Sequence, residues 1–395
     1  MSESATDAPE LPPAELASWL AEQRSFTVLD VRNRDEFESW HVSGPNVEAA
    51  HVPHQQFIAA RVQGTSEELV PDGPEPVLVV CGLGRSSAEV AIQLQAGGVD
   101  ALNLAGGMAA WARHYEAVEL PCSTATVLQY HRPATGCLSA LVVGGSTGDS
   151  ERTAAVIDPL RSFADRYAED AADHDANLAY AVDTHVHADH VSGVRAVAES
   201  TGAAVVLPAG ITAHDPRFES EPHLVADGDS LDLGGNAALE AVDLPGHTPE
   251  MLGYRLADSA QGDLLFGGDT LFLTTVARPD LAVERGEIEG MARKLYATLS
   301  ELRSLPTETR IVPGHVSEST RPDEAGRYVA TLGELVAQID LLDLDESAFV
   351  ERVTESLPPR PANDEQIRRI NLGRETVDEE TAFELELGPN NCAVA

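Results

Sequence analysis

The chain has 395 residues, with 65 acidic side chains against 26 basic ones and a formal net charge of −39. Its length exceeds one ordinary hydrophobic core and predicts two domains, while a polyanion whose one lysine is Lys294 is a poor partner for nucleic acid. No run of about 18 apolar residues is present, and Met1-Ser-Glu-Ser-Ala-Thr-Asp7 lacks the basic and apolar stretches of a secretory leader, so a cytoplasmic protein without a membrane partner is expected.

Residues 13–22 read as a short amphipathic helix, and Phe26-Thr-Val-Leu29 as a buried strand ending at Asp30. A second apolar run, Pro76-Val-Leu-Val-Val80, ends at Cys81. Helical periodicity follows over Ser86–Ala96, and a short strand, Ala101-Leu-Asn-Leu104, precedes Gly106-Gly107. Strands alternating with helices predict a small parallel α/β domain that ends near residue 118.

From about residue 123 the pattern changes to successive β-branched runs. Val127–Tyr130, Cys137–Val143 and Ala154–Ile157 predict a strand meander. Four later runs each end in potential ligands: Leu178–Val182 before Asp183–His190, Leu239–Leu244 before Pro245-Gly-His247, Leu264–Phe266 before Gly267-Gly-Asp269, and Arg310–Val312 before Pro313-Gly-His315. Strands of one sheet system thereby deliver polar side chains to a common edge. Five histidines and two aspartates, His185, His187, Asp189, His190, His247, Asp269 and His315, offer nitrogen and oxygen donors suited to zinc, iron or manganese. Seven groups exceed what one tetrahedral ion needs, so either two metals bind or some groups act from behind the first ligands.

Cys81, Cys122, Cys137 and Cys392 show no C-x-x-C pairing, which predicts neither a disulfide framework nor a thiolate zinc site. Cys122 and Cys137 read as core, Cys392 as an inert tail residue, and His214 and His223 as surface. Cys81 differs: it ends a strand and is followed by Gly82-Leu-Gly-Arg-Ser-Ser87 and a helix, whose dipole and converging N–H groups would stabilise a nucleophilic thiolate.

Thr184-His-Val-His-Ala-Asp-His190, Pro245-Gly-His-Thr248, Gly268-Asp269 and Pro313-Gly-His315 resemble the successive motifs of the metallo-β-lactamase superfamily, over about residues 122–395. The resemblance implies an αββα sandwich. Two branches compete within it: glyoxalase II-like thioester hydrolases, with all seven ligands on two zinc ions, and persulfide dioxygenases, with one ferrous iron. For the second, the ligands fall on His185, His247 and Asp269, a 2-His-1-carboxylate triad, with His187, Asp189, His190 and His315 as orienting groups or a second metal's ligands. Gly268–Phe272 followed by Ala277-Arg278-Pro-Asp-Leu281 resembles the dioxygenase segment in which an arginine, here Arg278, anchors the substrate carboxylate. Ala277 and Thr274-Thr275 depart from the residues often found there. Leu357-Pro-Pro-Arg-Pro361 with Asn371 resembles that branch's C-terminal signature, and the 80 residues after His315 are few for the hydrolases' helical domain.

Leu29-Asp-Val-Arg32, Asp35-Glu-Phe37, Trp40-His-Val42, the Cys81 loop and Gly106–Trp111 together resemble a rhodanese domain, over about residues 10–118. That implies sulfur carried as a persulfide on Cys81, with Arg85 and Ser86 near the anionic donor; the family's usual arginine position is Ser86 here. The joint expectation is a low-molecular-weight persulfide, such as glutathione persulfide, oxidised by O2 to sulfite and thiol and coupled to sulfur transfer involving thiosulfate or sulfite. A dizinc hydroxyacylglutathione hydrolase type with a rhodanese appendage is the alternative, and a non-enzymatic sulfur carrier a third reading. Assembly as a homo-oligomer is compatible with all of them.

Acidic tracts such as Asp340–Glu346 and Asp378–Glu386, with lysine almost absent, point to a salt-rich cytoplasm that screens carboxylate repulsion. Thermal stability should therefore rise between dilute buffer and molar KCl; a maximum in dilute buffer would count against this halophilic reading.

Overall fold

The structure is a computed structural model, and it describes residues 8–145, 152–355, 357–388 and 391–394. The leader-free start expected over the first seven residues, and the Pro389-Asn390 step before Cys392, lie outside the described residues. Two compact units are present: residues 1–115 with 132–136 and 318–321, and residues 116–131, 137–317 and 322–395. The two short segments that join the first unit from far along the chain are not foreseen by a linear division.

In the first unit, strands and helices alternate: β1 (Glu10–Leu11), α1 (Pro13–Ala21), β2 (Phe26–Asp30), α2 (Arg34–Ser39), β3 (Val47–His51), α3 (His54–Gln63), β4 (Val77–Val80), α4 (Arg85–Ala96), β5 (Ala101–Leu104) and α5 (Gly107–Ala112). The strands pair in parallel in the order β1-β5-β4-β2-β3. All residues of β2 and β4 are buried, as central strands of a sheet covered on both faces must be. Cys81 therefore leaves the middle of the sheet at the C-terminal ends of its strands, where open α/β sheets hold their ligands.

The second unit begins with β6 (Glu116–Leu120), β7 (Ala125–Arg132), β8 (Cys137–Gly144) and β9 (Arg152–Ile157). Then come α6 (Ala164–Asp173), β10 (Ala176–Val182), α7 (Val194–Thr201), β11 (Ala204–Pro208) and β12 (His223–Val225), which complete a seven-stranded sheet of order β12-β11-β10-β9-β8-β7-β6. A six-stranded sheet follows in simple sequence order: β13 (Ser230–Asp232), β14 (Ala238–Asp243), β15 (Leu252–Leu256), β16 (Leu264–Gly268), β17 (Arg310–Pro313) and β18 (Ala330–Thr331). Its pairs are antiparallel except β16 with β17, whose parallel pairing is made possible by the crossover helix α8 (Ile288–Leu302). Helices α9 (Leu332–Gln338), α10 (Glu346–Glu355), α11 (Asp364–Asn371) and α12 (Glu379–Leu385) end the chain.

Two apolar layers define the sandwich. Val142, Ile157, Val182 and Val206 of one sheet meet Leu239, Tyr254, Leu264 and Phe266 of the other, all buried. On the far side of the second sheet, Leu265 and Ile311 pack with Leu295, Leu299 and Phe349 from α8 and α10, while α6 and α7 pack on β10 of the first sheet. This is the expected αββα arrangement. Within the inner layer Tyr254 is fully buried and its hydroxyl has no hydrogen-bond partner among the described residues. An unpaired buried hydroxyl is destabilising, so Tyr254→Phe should stabilise the sandwich by about 1 kcal/mol, read as a shift of the urea unfolding midpoint; a loss of stability would show that the hydroxyl has a partner.

Candidate functional site

The metal-type residues come from loops at the ends of β10, β14, β16 and β17, so both sheets contribute to one rim. The Asp183–Ser192 loop is held by its neighbours rather than by regular structure. Asp158, which follows β9 in the left-handed region (φ 50°), accepts from the Thr184 backbone N–H at 2.7 Å, from its hydroxyl at 2.9 Å and from His187 Nε2 at 3.1 Å. Asn371 of α11 accepts from the Ser192 N–H and donates to the carbonyls of His187 and His190. Glu250 accepts from the Val186 N–H and from His214 Nε2. Gly268 closes the opposite side: at φ 48° a Cβ there would lie 2.6 Å from Thr184 Oγ1, so only glycine lets β16 approach the loop.

Hydrogen bonding then settles which nitrogens face inward. The one proton of the Thr184 hydroxyl goes to Asp158, so Thr184 Oγ1 accepts from His185 Nδ1–H at 2.9 Å. The Nε2 of His185 is left as a buried lone pair without a partner. His247 Nδ1–H donates to the Arg278 carbonyl at 2.9 Å, which leaves its Nε2 unprotonated. The two Nε2 atoms lie 4.0 and 3.6 Å from Asp269 Oδ2, itself buried and without a partner. His185, His247 and Asp269 thus form a group whose ligand atoms all lie within 4.8 Å of one another. Burial, with His187 and His247 alongside, pushes the His185 pKa well down, and burial also lowers His247. Two imidazoles whose charge is disfavoured and one carboxylate, with His185 Nε2 and Asp269 Oδ2 buried and unpartnered, fit a divalent transition ion.

The other four predicted ligands are engaged differently. His187 turns its Nε2 toward Asp158 and, at 3.7 Å, Asp183; burial and His190 work against its charge, but Asp158 outweighs them and the pKa rises to about 9. His315 bridges two carboxylates, with Nδ1 at 2.5 Å from Asp269 Oδ1 and Nε2 at 2.7 Å from Asp189 Oδ2. Burial opposes its charge, yet Asp269 and Asp189 hold its pKa well above the usual histidine value. His190 Nδ1 donates to the same Asp189 oxygen at 3.0 Å.

Several residues read otherwise from sequence. Arg278 was expected to anchor a substrate carboxylate. It is 1 % exposed, and all five of its N–H donors are bonded within the chain: two to Asp280 and three to the carbonyls of Pro358, Pro359 and Asn391. No donor is left for a ligand, so Arg278 ties the segment after Asp269 to the C-terminal region instead. Cys137 is buried, but its thiol donates to Asp189 Oδ2 at 3.4 Å and so belongs to the polar cluster rather than the apolar core. Burial and Asp189 raise its pKa, and His190 and His315 outweigh them to lower it. Cys392 is 2 % exposed and offers its sulfur within 4.8 Å of ligand atoms of Asp269 and His315, which is no place for an inert tail residue. His214 is a half-buried partner of Glu250, not a surface residue. Asp158 carries the same strand-end signature as the predicted ligands and could have been found by it.

In the first unit Cys81 is 7 % exposed, and its sulfur accepts from the Ser87 backbone N–H at 3.4 Å and the Ser87 hydroxyl at 3.1 Å. The loop is braced from behind, because Met108 and Ala109 at the start of α5 donate to the carbonyls of Cys81 and Gly82. A Cβ on Gly107 would lie 2.2 Å from the Cys81 carbonyl oxygen, so that close approach requires glycine. Arg85 is exposed and Ser86 half-buried in the first turn of α4; the side chain on the sulfur is Ser87, one residue beyond those expected.

A parallel α/β unit with a cysteine cradled at a helix start, followed by an αββα sandwich with a histidine-aspartate centre at its rim, defines the class: a metal-binding sandwich preceded by a cysteine-bearing α/β domain. Residues 133–315 match the metallo-beta-lactamase superfamily and residues 12–114 the rhodanese-like domain. The chain is 31 % identical over 219 residues to the persulfide dioxygenase ETHE1 of Bos taurus, covering 54 % of this chain and 76 % of that one. It is 39 % identical over 132 residues to the hydroxyacylglutathione hydrolase of Rhodobacter capsulatus, covering 33 % of this chain and 46 % of that one. Among solved structures, ETHE1 from Myxococcus xanthus superposes with a TM-score of 0.50 at 25 % identity, covering 62 % of this chain and 98 % of that one. The chain therefore belongs to the metallo-β-lactamase superfamily and carries a rhodanese-like domain ahead of the sandwich. It spans about half the length of the first curated relatives it matches.

The tautomer chain from Asp158 through Thr184 to His185 makes a direct prediction. Thr184→Val should weaken metal retention roughly 10- to 100-fold, measured by competition with a chelator, and Thr184→Ser should restore it. Unchanged affinity in the valine variant would break that chain.

Proposed function

We propose that the sandwich oxidises a low-molecular-weight persulfide with O2 to sulfite and thiol, at one ferrous ion held by His185, His247 and Asp269. The observation that carries this reading is the convergence of those three residues: His185 Nε2 and Asp269 Oδ2 are buried without partners, and the His185 and His247 Nε2 atoms lie 4.0 and 3.6 Å from Asp269 Oδ2, while His187 Nε2 and both nitrogens of His315 are hydrogen-bonded to carboxylates. Similarity to proteins described as ETHE1 supports it. A bound ferrous ion would supply the electrons that activate dioxygen toward sulfur, which redox-inert zinc does not. The chain's own residues do the rest. Thr184 and the Arg278 carbonyl keep both imidazoles in the tautomer that presents Nε2, and His315 holds Asp269 by its other oxygen. Overall, RSSH, O2 and H2O give RSH and H2SO3.

In this reading Cys81 carries sulfur as a persulfide in the rhodanese-like domain, taking it from thiosulfate or passing it to sulfite, so that the two domains share intermediates in the cytoplasm. The second reading, a dizinc thioester hydrolase, is favoured by the similarity to hydroxyacylglutathione hydrolases. Metal analysis after expression with iron available separates the two. One iron per chain with persulfide-dependent oxygen uptake is expected; two zinc ions with thioester hydrolysis and no oxygen uptake would reject the proposal. Asp269→Ala should abolish iron retention and oxygen uptake together. Cys81→Ser should lose sulfur transfer and keep oxygen uptake, and a variant that still transfers sulfur would remove Cys81 as the nucleophile.

A further inference from the structure

The centre is closed to solvent on every side. None of the seven predicted ligands is more than 6 % exposed, so a molecule the size of a persulfide or a thioester reaches them only after some segment moves. The loops after β10, β14, β16 and β17 carry the ligands themselves, and Asp158, Asn371 and Glu250 tie the first of these loops down. A different segment borders the centre and carries no member of the His185, His247 and Asp269 group. Asn391–Val394 lies antiparallel to Val276–Arg278, with the Arg278 N–H donating to the Cys392 carbonyl at 3.2 Å and the Val394 N–H to the Val276 carbonyl at 3.0 Å. Two side chains add to this: the Thr275 hydroxyl donates to the Val394 carbonyl, and the Arg278 guanidinium to that of Asn391.

We propose that Asn391–Val394 is a strap that lids the metal centre, and that the entrance for substrate is the gap it leaves when it lifts from Val276–Arg278. The seated strap reaches the centre itself, since the Cys392 sulfur lies within 4.8 Å of ligand atoms of both Asp269 and His315. Cys392 and Val394 are buried in the same apolar cluster as Ala188, Leu271, Phe272 and Val276, so the strap shuts the entrance with apolar side chains that exclude water. Lifting it breaks a short stretch of pairing and exposes two small side chains, the kind of local opening that costs far less than unfolding a sheet. Ligand-bearing strands stay in place while it moves. Arg278 joins the strap to the site: its N–H and guanidinium hold the strap, while its carbonyl accepts from His247 Nδ1. Seating of the strap therefore also braces the carbonyl that sets the tautomer of His247.

A reversible lock tests the lid. Ala277 and Ala393 face each other between the two backbone bonds, as a non-hydrogen-bonded antiparallel pair whose α-carbons typically stand about 4.5 Å apart, within reach of a disulfide. The full chain carrying Ala277→Cys and Ala393→Cys is loaded with metal, oxidised, and challenged with a chelator. Metal removal is expected to slow at least roughly 10-fold in the crosslinked form and to recover on reduction; equal rates in the two forms would overturn the proposal. Hydrogen exchange in the unmodified protein gives a second readout. The Arg278 and Val394 N–H groups should exchange at least roughly 10-fold faster than the protected amides of β16, and equal protection would show that the strap opens only when the whole sandwich unfolds. Should the crosslink fail to form, Val394→Pro, which deletes one of the two backbone bonds, decides: faster metal loss is expected, and an unchanged rate would refute the lid. Neither metal loss nor exchange depends on whether the centre oxidises persulfides or hydrolyses thioesters, so the two readings of the activity are judged separately.

Discussion

The metal rim depends on one buried carboxylate. Asp158 is 4 % exposed and stands where β9 turns toward the loop after β10. An unpaired carboxylate in that position would cost several kcal/mol, and three donors from Thr184 and His187 offset the cost. Burial alone would raise its pKa, yet the charge of His187 and these hydrogen bonds hold it below the usual carboxylate value. Because Asp158 can only accept, every proton in the chain behind it has a direction. The Thr184 hydroxyl must donate to it, and His185 must then donate to Thr184. The inward-facing nitrogen of His185 is bare as a consequence of an aspartate on the far side of Thr184.

The same logic runs through the rest of the cluster as alternating charge. Asp158 faces His187, Asp269 faces His315, and Asp189 receives both His315 and His190. Each carboxylate is held ionised by an imidazole whose own protonation it supports, so no member can be neutralised alone without stranding its partner in a low-dielectric site. The chain's net charge of −39 accordingly resides on solvated faces and not at the centre. Most of its ion pairs there, such as Arg34 with Glu38, are exposed and weak.

Much of this was legible before any coordinates. Polar residues that close apolar β-branched runs stand out because burial of the run and exposure of its end are both local, and that pattern located β10, β14, β16 and β17 with their ligands. Cys81 was legible for the same reason. What sequence could not deliver was who bonds with whom. Arg278 looks like an anion anchor until the carbonyls of Pro358, Pro359 and Asn391, 80 to 113 residues away, take up its donors. Cys137 opens an apolar strand whose eight residues are all buried, so its pattern says core; only the pairing with His315 turns its sulfur toward Asp189. Ser87, buried in the first turn of α4, escaped because family spacing drew attention to the residues just before it.

The contest between one metal and two reduces to where the protons of His315 sit. In a two-metal hydrolase all seven groups give lone pairs to ions, so His315 must surrender a proton and its bond to Asp189 or Asp269. His187 must likewise offer Nδ1, which is buried and without a partner, while keeping Asp158 on Nε2. His185, His247 and Asp269 need no such rearrangement, since their inward atoms are already bare. The three-residue group is thus organised for an ion before any ion arrives. The remaining groups exchange protons for a cation only if the gain in coordination exceeds the loss of two charge-assisted hydrogen bonds, each worth about 1.5–3 kcal/mol.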